Sequence, residues 1–493
     1  LNISLDSNRP PTKAAPAARA GRNDFRDHLA TADAEGRRQW IYPRQPEGPW
    51  YRARTWLSYL LLLVMFVGPF VRINGNPLLL INVVERKFVI FGQVFWPQDA
   101  LILAVGLLAF ITGIVLFTAA FGRLWCGWAC PQTVLMEMVF RKIEYAIEGG
   151  PRQQRENARP PWTLEKLTRK LLKHVVFFGL SFVIGNTLLA YIIGADELFK
   201  IITDDPRRHL QGLALMLLFT AIFYGIFARF REQACTFICP YGRLQSTLLD
   251  DNSIVVAYDY KRGERRGPWP RGQGAEARAA AGLGDCVDCR QCVAVCPTGI
   301  DIRNGTQMEC VHCTACMDAC DQIMRKIGRP AGLVRYASEN GILHGQKLKV
   351  TPRMVVYSLL LLLLVGLETT LLLTRSDLDT TFLRAPGALF QQMPGGQISN
   401  LYVVKLINKT SRPIDAELRL ENLTGKVSVL GPPLRLAPGQ LSQASVLVEL
   451  DPAQLRGAST PLLLGVYAEG RRLQKLKTVF MGPRHDLPPQ SKP

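Results

Sequence analysis

The chain has 493 residues and a net charge of +19, yet only 20% of its residues are charged and 48% are hydrophobic. That balance argues for a membrane protein with basic flanks and against a nucleic-acid partner. Twelve cysteines in so long a chain exclude a disulfide mini-protein. All lie between Cys126 and Cys320 in C-x-x-C or C-x-x-x-C spacings, which read as metal or redox sites.

In chain order, the first forty residues are rich in Ala, Arg, Asp and Pro and lack an apolar stretch of signal-peptide type, so residues 1–50 read as a basic, largely disordered cytoplasmic tail. Five segments approach membrane length: 56–71, 100–120, 175–193, 212–230 and 354–373. The alternative, buried helices of a soluble protein, fits five such runs poorly. Arg and Lys crowd the segment before the first run and the loops that follow the second and the fourth, while loops 74–98 and 194–210 have few. The positive-inside rule then makes the N-terminus cytoplasmic and the C-terminal region external. All twelve cysteines fall on the cytoplasmic side, where thiols stay reduced. Trp40, Trp50 and Trp56 around the first run, and Trp96 before the second, read as interface anchors.

The second run ends in RLWCGWACPQT, with Cys126, Cys130 and Pro131; the fourth ends in QACTFICPY, with Cys235, Cys239 and Pro240. Aligning Cys126 with Cys235 also matches Phe121 with Phe230 and Leu135 with Leu244, an internal repeat in which each half supplies a thiol pair. Proline after the second cysteine places each pair at a helix break and opens a second helix. After Pro131 that helix carries Val134, Leu135, Met138, Ile143 and Ile147 on one face, with Arg141, Lys142 and Glu144 between them, a pattern for an interfacial helix. Gly127 admits close approach of backbone or ligand. Four converging soft thiolates suit copper, a further iron–sulfur cluster, or a dithiol–disulfide couple. A lone cysteine would more simply be a packing residue.

Residues 286–320 hold CVDCRQCVAVCP and CVHCTACMDACD, each C-x2-C-x2-C-x3-C, the two-cluster ferredoxin spacing. In that pattern three close cysteines bind one [4Fe–4S] cluster and the fourth serves the other. Cys286, Cys289, Cys292 and Cys320 are therefore expected on one cluster, and Cys296, Cys310, Cys313 and Cys316 on the second. Zinc uses two C-x2-C pairs across a longer loop and gives no reason for eight cysteines in doubled spacing. His312 reads as a spacer or hydrogen-bond donor. Arg290, Arg303, Lys326 and Arg329 are a basic surround, either for reduced clusters and an acidic donor or a plain solvated face. His174 and His209 stand at opposite ends of their spans, poorly placed for haem. Glu368 is an acid inside the fifth span, a functional suspect by default. Beyond residue 373, short strand-like runs such as LYVVKLIN and QASVLVEL alternate with Gly and Pro turns, the signature of a β-sandwich.

The fold class is thus a multi-domain membrane protein: an α-helical transmembrane part, a two-cluster ferredoxin-like domain and an all-β immunoglobulin-like sandwich. The expected boundaries are a tail to residue 50, a four-span region at 51–252, a cytoplasmic ferredoxin domain at 253–350, a fifth transmembrane helix at 351–374 and a periplasmic domain at 375–493.

The stretches WIYPRQPEGPWYRARTWLSYLLLL, FWPQDA, RLWCGWACPQTVLMEMVFRKIEYAIEG, QACTFICPYGRLQS and the ferredoxin pair resemble the cytochrome c oxidase accessory proteins of the CcoG/FixG/RdxA type over nearly the whole chain. The resemblance implies a bacterial inner-membrane polyferredoxin that acts in maturation of cbb3-type cytochrome oxidase and reduces Cu(II) to Cu(I) for copper delivery. It makes Cys126, Cys130, Cys235 and Cys239 candidates for the copper redox site, with the other eight cysteines feeding electrons. Implied partners are the membrane, copper ion, an electron donor of unknown identity, and a copper exporter or oxidase subunits. Two rival roles stay open: a general electron-transfer subunit of the nitrate or nitrous-oxide respiration type, and a redox-sensing assembly scaffold.

Overall fold

Backbone in hydrocarbon must satisfy its own hydrogen bonds, which a helix does within one segment. A computed structural model of the chain forms a helix at each of the five apolar runs. It describes residues 30–32, 35, 37–83, 85–270, 274–345, 349–410, 412–468 and 470–483. The helices long and apolar enough to cross a membrane are Pro49–Phe70, Pro97–Phe121, Leu164–Ile193, Pro206–Phe230 and Pro352–Leu373. The first starts well before its apolar core because Pro49 is pre-set for a helix's first turn. Their outer faces expose Leu63, Phe110, Leu171, Leu215 and Leu362. Such area would be a liability in water and is ordinary in lipid. The protein is a multi-pass membrane protein.

The chain divides into two units. The first takes residues 1–66, 107–188 and 204–364 and holds all twelve cysteines. Its helical core packs Leu135, Met136 and Phe140 on Phe177, Ile184 and Phe227. The Phe140 ring stacks on Phe227 at 4.6 Å and meets Phe177 edge-on at 4.9 Å. An antiparallel pair, Val255–Tyr258 with Val334–Ala337, brackets the ferredoxin loops. Helices Gln291–Ala294 and Ala315–Lys326 follow the second cysteine of each ferredoxin motif.

The helix expected after Pro131 forms as Pro131–Thr133, a wider π-type turn at Val134–Phe140, and Arg141–Glu148. Its polar side does not face a membrane surface. Arg141, Glu144 and Glu148 are buried. Arg141 pairs with Glu137 at 3.0 Å, Arg231 with Glu144 at 2.5 Å and Lys173 with Glu148 at 2.8 Å. Charges taken out of water need such partners, so the interfacial reading gives way to an embedded helix. Arg231 and Lys173 hold the Glu144 carboxyl below its ordinary range against the opposing effect of burial.

The disordered-tail reading also fails for the stretch leading into the first helix; residues 1–29 lie outside the described residues. Arg38 pairs with Glu232 at 3.1 Å. The Arg44 backbone N–H donates to the Ala294 carbonyl at 2.7 Å, Tyr145 to the Pro43 carbonyl at 3.0 Å, and Gln322 to the Glu47 carbonyl at 2.5 Å. Trp40 is faced by the guanidinium groups of Arg38, Arg229 and Arg231, and Trp50 packs edge-on against Trp128 and Tyr336. These two tryptophans join protein surfaces, while Trp56 is 74% exposed as an anchor would be.

The second unit takes residues 67–106, 189–203 and 365–493. A small antiparallel sheet, Leu79–Asn82, Lys87–Ile90 and Gln93–Phe95, closes on Leu80, Val89 and Val94. The C-terminal part is the expected sandwich. One sheet runs in the order Gly425–Leu430, Leu441–Leu450, Ile398–Asn408, Leu378–Arg384, with Gln391–Gln392 also on Ile398–Asn408. The other is Glu417–Leu420, Ser459–Ala468, Arg471–Met481, and every pairing is antiparallel. Side chains alternate as a strand requires: Tyr402, Val404 and Leu406 point inward against Val446, Leu464 and Phe480, and Leu401 and Lys405 point out. Within this unit the buried Asp99 carboxylate accepts from Lys409 and Arg375, each at 2.7 Å. Glu368 approaches Gly106, and its Oε2 finds no hydrogen-bond partner among the described residues.

Candidate functional site

The two ferredoxin motifs fold alike. In each, the residues flanking the second cysteine adopt the left-handed conformation: Asp288 and Arg290 around Cys289, His312 and Thr314 around Cys313, at φ of 53°, 55°, 54° and 65°. None is glycine, so each costs backbone energy. The turns coil the chain so that the cysteines of one motif face a common interior.

Two cavities result. Cys286, Cys289, Cys292 and Cys320 line one; Cys296, Cys310, Cys313 and Cys316 line the other. Cys292 borders both. Each cavity takes its fourth cysteine from the opposite motif. Among the described residues no Cys, His, Asp or Glu group closes to the geometry of a single ion; the thiols stand around space instead. Burial pushes the Cys292 and Cys310 thiols up to about 12 and Cys313 up to about 11, and raises Cys296, Cys316 and Cys320 as well. Thiolates in such a place need compensating positive charge. A cluster whose irons bring that charge and whose ligands are cysteines fits the donor set and the space.

The cavities differ in polarity. The first is bordered by Arg290 and Arg303. Arg303 is buried and held by Asp301 at 2.7 Å and Asp288 at 2.5 Å, and Arg329 is paired with Asp285. The basic surround is therefore not a uniform solvated face: Arg290 and Lys326 are exposed, Arg290 with a long 3.9 Å pairing to Asp288, while Arg303 and Arg329 are held in close ion pairs. The second cavity has no charged group in its wall. His312 is buried, its ring is pushed down to about 3 by desolvation, and its Nδ1 accepts from the Arg123 backbone N–H at 3.1 Å. At Nδ1 it is an acceptor, which leaves the ring proton on Nε2.

The paired thiols sit at matching turns. Cys130 and Cys239 have extended backbone, at ψ of 125° and 111°, and the following proline opens a helix. The residue before proline is driven out of the helical region by its ring, so the sequence C-P itself makes the break. The two pairs come within electrostatic reach of one another. Burial raises Cys235 to about 12, and Cys130, Cys126 and Cys239 each push it further in that direction. Burial also raises Cys126, and Arg123 opposes it. Cys126 Sγ donates to Gln245 Oε1 at 3.3 Å, and Arg123 Nε donates to the same oxygen at 2.9 Å. A further cavity of about 330 Å³ reaches Cys235 past Gln132, Glu137, Arg231 and Glu232.

Gly127 joins the paired thiols to the second ferredoxin cavity. A Cβ there would lie 2.5 Å from the His312 carbonyl oxygen and 2.6 Å from that of Val311. Only glycine lets Cys126 approach the loop between Cys310 and Cys313 so closely. Gly127→Ala is expected to force that loop outward at a cost of about 1–3 kcal/mol. The check is a lower thermal unfolding midpoint of the full-length protein.

Arg123 and Gln245 escape sequence reasoning. The repeat is no guide to either, because Arg123 aligns with Glu232 and Gln245 with Met136. His174 bonds to the Tyr224 hydroxyl at 2.8 Å and His209 to Asp204 at 3.1 Å, so each has a local partner. Glu368 belongs to the second unit and the twelve cysteines to the first.

Comparison with known proteins agrees with this geometry. Residues 230–339 match the 4Fe-4S dicluster domain family, residues 103–147 a 4Fe-4S binding domain family, and residues 369–483 the Ig-like fold at the C-terminus of FixG. The chain is 35% identical to Protein RdxA of Cereibacter sphaeroides over 78% of this chain and 83% of that protein. It is 33% identical to nitrogen fixation protein FixG of Rhizobium meliloti, over 78% and 80% respectively. Protein RdxB of Cereibacter sphaeroides is 32% identical over 79% of this chain and 83% of its own length. With its spanning helices, ferredoxin cavities and terminal sandwich, the chain belongs to the FixG/RdxA family of membrane iron–sulfur electron-transfer proteins.

Proposed function

We propose that the protein is a Cu(II) reductase of a bacterial inner membrane that supplies Cu(I) for maturation of a cbb3-type cytochrome oxidase. Cys126, Cys130, Cys235 and Cys239 bind the copper ion. Cys286, Cys289, Cys292 and Cys320 hold one [4Fe–4S] cluster and Cys296, Cys310, Cys313 and Cys316 the other. When bound, the clusters supply one-electron storage. The reaction is Cu(II) plus one electron, from an external donor, to Cu(I), the softer ion and the better match to thiolate. The chain's part is to gather four thiols, orient Cys126 through Gln245, and give a cation a polar approach past Glu137 and Glu232. The cysteine-bearing unit faces the cytoplasm and the sandwich the periplasm. Copper is then reduced on the cytoplasmic side and handed to an exporter.

One observation carries this reading: two thiol pairs from separate motifs lie together, and Gly127 of one packs on the loop between Cys310 and Cys313. A second reading, a third cluster on the four thiols, is favoured by the 4Fe-4S binding domain match over residues 103–147. Metal analysis separates them. About eight irons per chain, with copper bound stoichiometrically, is the expected result; about twelve irons would replace the copper site with a cluster. Eight irons without copper uptake or Cu(II) reduction would leave a general electron-transfer subunit.

A further inference from the structure

Arg54 lies in the basic segment that precedes the first apolar run. It is not on the surface. In the first spanning helix Arg52 is exposed, but Arg54 is 3% exposed. Its guanidinium contacts the carbonyl of Cys313 at 3.4 Å, a long hydrogen bond, and its other terminal nitrogen is buried with no partner among the described residues. A buried, half-unpartnered guanidinium is costly. The structure nonetheless holds it firmly in place. The Asp318 carboxylate, on the helix between Cys316 and Cys320, accepts from the Trp50 and Tyr51 backbone N–H groups at 3.2 and 2.7 Å and fixes the start of the Arg54 helix. Trp50 is wedged against Trp128 and Tyr336. Ser58, one turn on, is itself fully buried and donates to the Arg54 carbonyl at 2.8 Å.

The wall of the cavity formed by Cys296, Cys310, Cys313 and Cys316 has no charged side chain. Reduction of a group held there adds negative charge in an apolar, enclosed place, where a nearby cation counts for more than in water. Two arginines lie next to this cavity from outside. Arg123 is committed to Gln245 and the Met308 carbonyl. Arg54 has N–H capacity to spare and meets the Cys313 carbonyl.

We propose that Arg54 sets the reduction potential of the cluster ligated by Cys296, Cys310, Cys313 and Cys316, favouring its reduced form by charge and by the unused N–H group. It is a positioning residue, acting on the potential and not on copper. The inference rests on the ligand assignment under Proposed function. Potentials of such clusters follow nearby charge and hydrogen bonding, so the effect falls on one cluster of the two.

The test is an EPR-monitored redox titration of the full-length protein in nanodiscs, with iron counted in every sample. A wild type lacking two cluster signals would sink the ligand assignment before any variant is read. In Arg54→Gln, the signal that Cys313→Ser perturbs is expected to titrate lower. Its reduced-to-oxidised ratio at the wild-type midpoint should drop about tenfold, which is 59 mV for one electron. The signal that Cys289→Ser perturbs stays in place. Arg54→Lys keeps the charge and loses the forked donor, so a smaller drop in the same signal is expected. Midpoints unmoved in whichever variant keeps eight irons, or a shift confined to the other cluster, overturn the proposal. Loss of iron in both variants assigns Arg54 to folding and overturns it too.

Discussion

Replacing Cys126 and Cys235 by serine together is expected to lower Cu(II) reduction by more than about 100-fold while about eight irons per chain remain. The bound comes from metal sites in general, where outer-shell partners alone change affinity or activity about 10–100-fold. In the proposed copper site, two direct ligands of a soft ion are replaced by hard hydroxyls. The expected survival of the clusters follows from the cavities: neither Cys126 nor Cys235 borders the spaces lined by the eight ferredoxin cysteines. Formation of a Cu(I)–chelator signal when dithionite-reduced protein, freed of excess dithionite, is mixed with Cu(II), beside an iron assay, reads both halves. Undiminished reduction in the double variant would remove the paired thiols from the mechanism.

Arg278→Ala is expected to cost the protein about 3–5 kcal/mol, because each buried acceptor left without its hydrogen bond costs about 1–3 kcal/mol, and to halve its iron from about eight to about four per chain. Arg278 is one of the largest fully buried side chains. Its Nε donates to the Gly284 carbonyl at 2.7 Å, and its two terminal nitrogens to Pro268 at 2.8 Å, Gly267 at 2.9 Å and Cys286 at 3.0 Å. One side chain therefore donates to four carbonyls outside any strand or helix, two of them on the buried residues Gly267 and Cys286, the latter the first ferredoxin cysteine. Alanine removes the donor from all four, and only the Cys286 carbonyl keeps another, the Gly267 N–H at 3.2 Å. Lysine is expected to rescue little, because a point charge does not reproduce a planar fork. Loss confined to the cluster of Cys286, seen as one missing EPR signal, separates this local effect from general unfolding.

Much of the architecture is legible because its causes are local. Apolar runs of membrane length have few alternatives to helix. The C-P dipeptides force their own breaks at Cys130 and Cys239. Strand alternation in LYVVKLIN marks which side chains face the sandwich core, and the doubled C-x2-C-x2-C-x3-C spacing fixes which cysteines share a cavity by chain geometry. What stays hidden depends on contacts between distant residues. Arg54 and Arg278 look like any basic residue near a membrane until their burial is known. Arg141 and Glu144 look like the wet face of an interfacial helix because nothing local announces Arg231 and Lys173. Gln245 has no counterpart across the repeat, so pattern matching passes over the side chain that touches Cys126. The segment Arg38–Gly48 reads as disordered from its composition, since the partners that hold it lie from 102 to 275 residues away.

That distance bears on the order in which the molecule assembles. The cap on the first spanning helix comes from Asp318, 268 residues later, and Arg44 meets Gln291 across 247 residues. Contacts so far apart in sequence form late, after the ribosome has made nearly two thirds of the chain. The first helix must therefore enter the bilayer uncapped and wait. Its N-terminus becomes locked only when the helix bearing Cys316 and Cys320 has folded, an event that metal binding favours. Iron supply thus governs more than redox competence: a chain starved of iron would keep its leading segment loose and open to proteolysis, marking an unfinished molecule for removal.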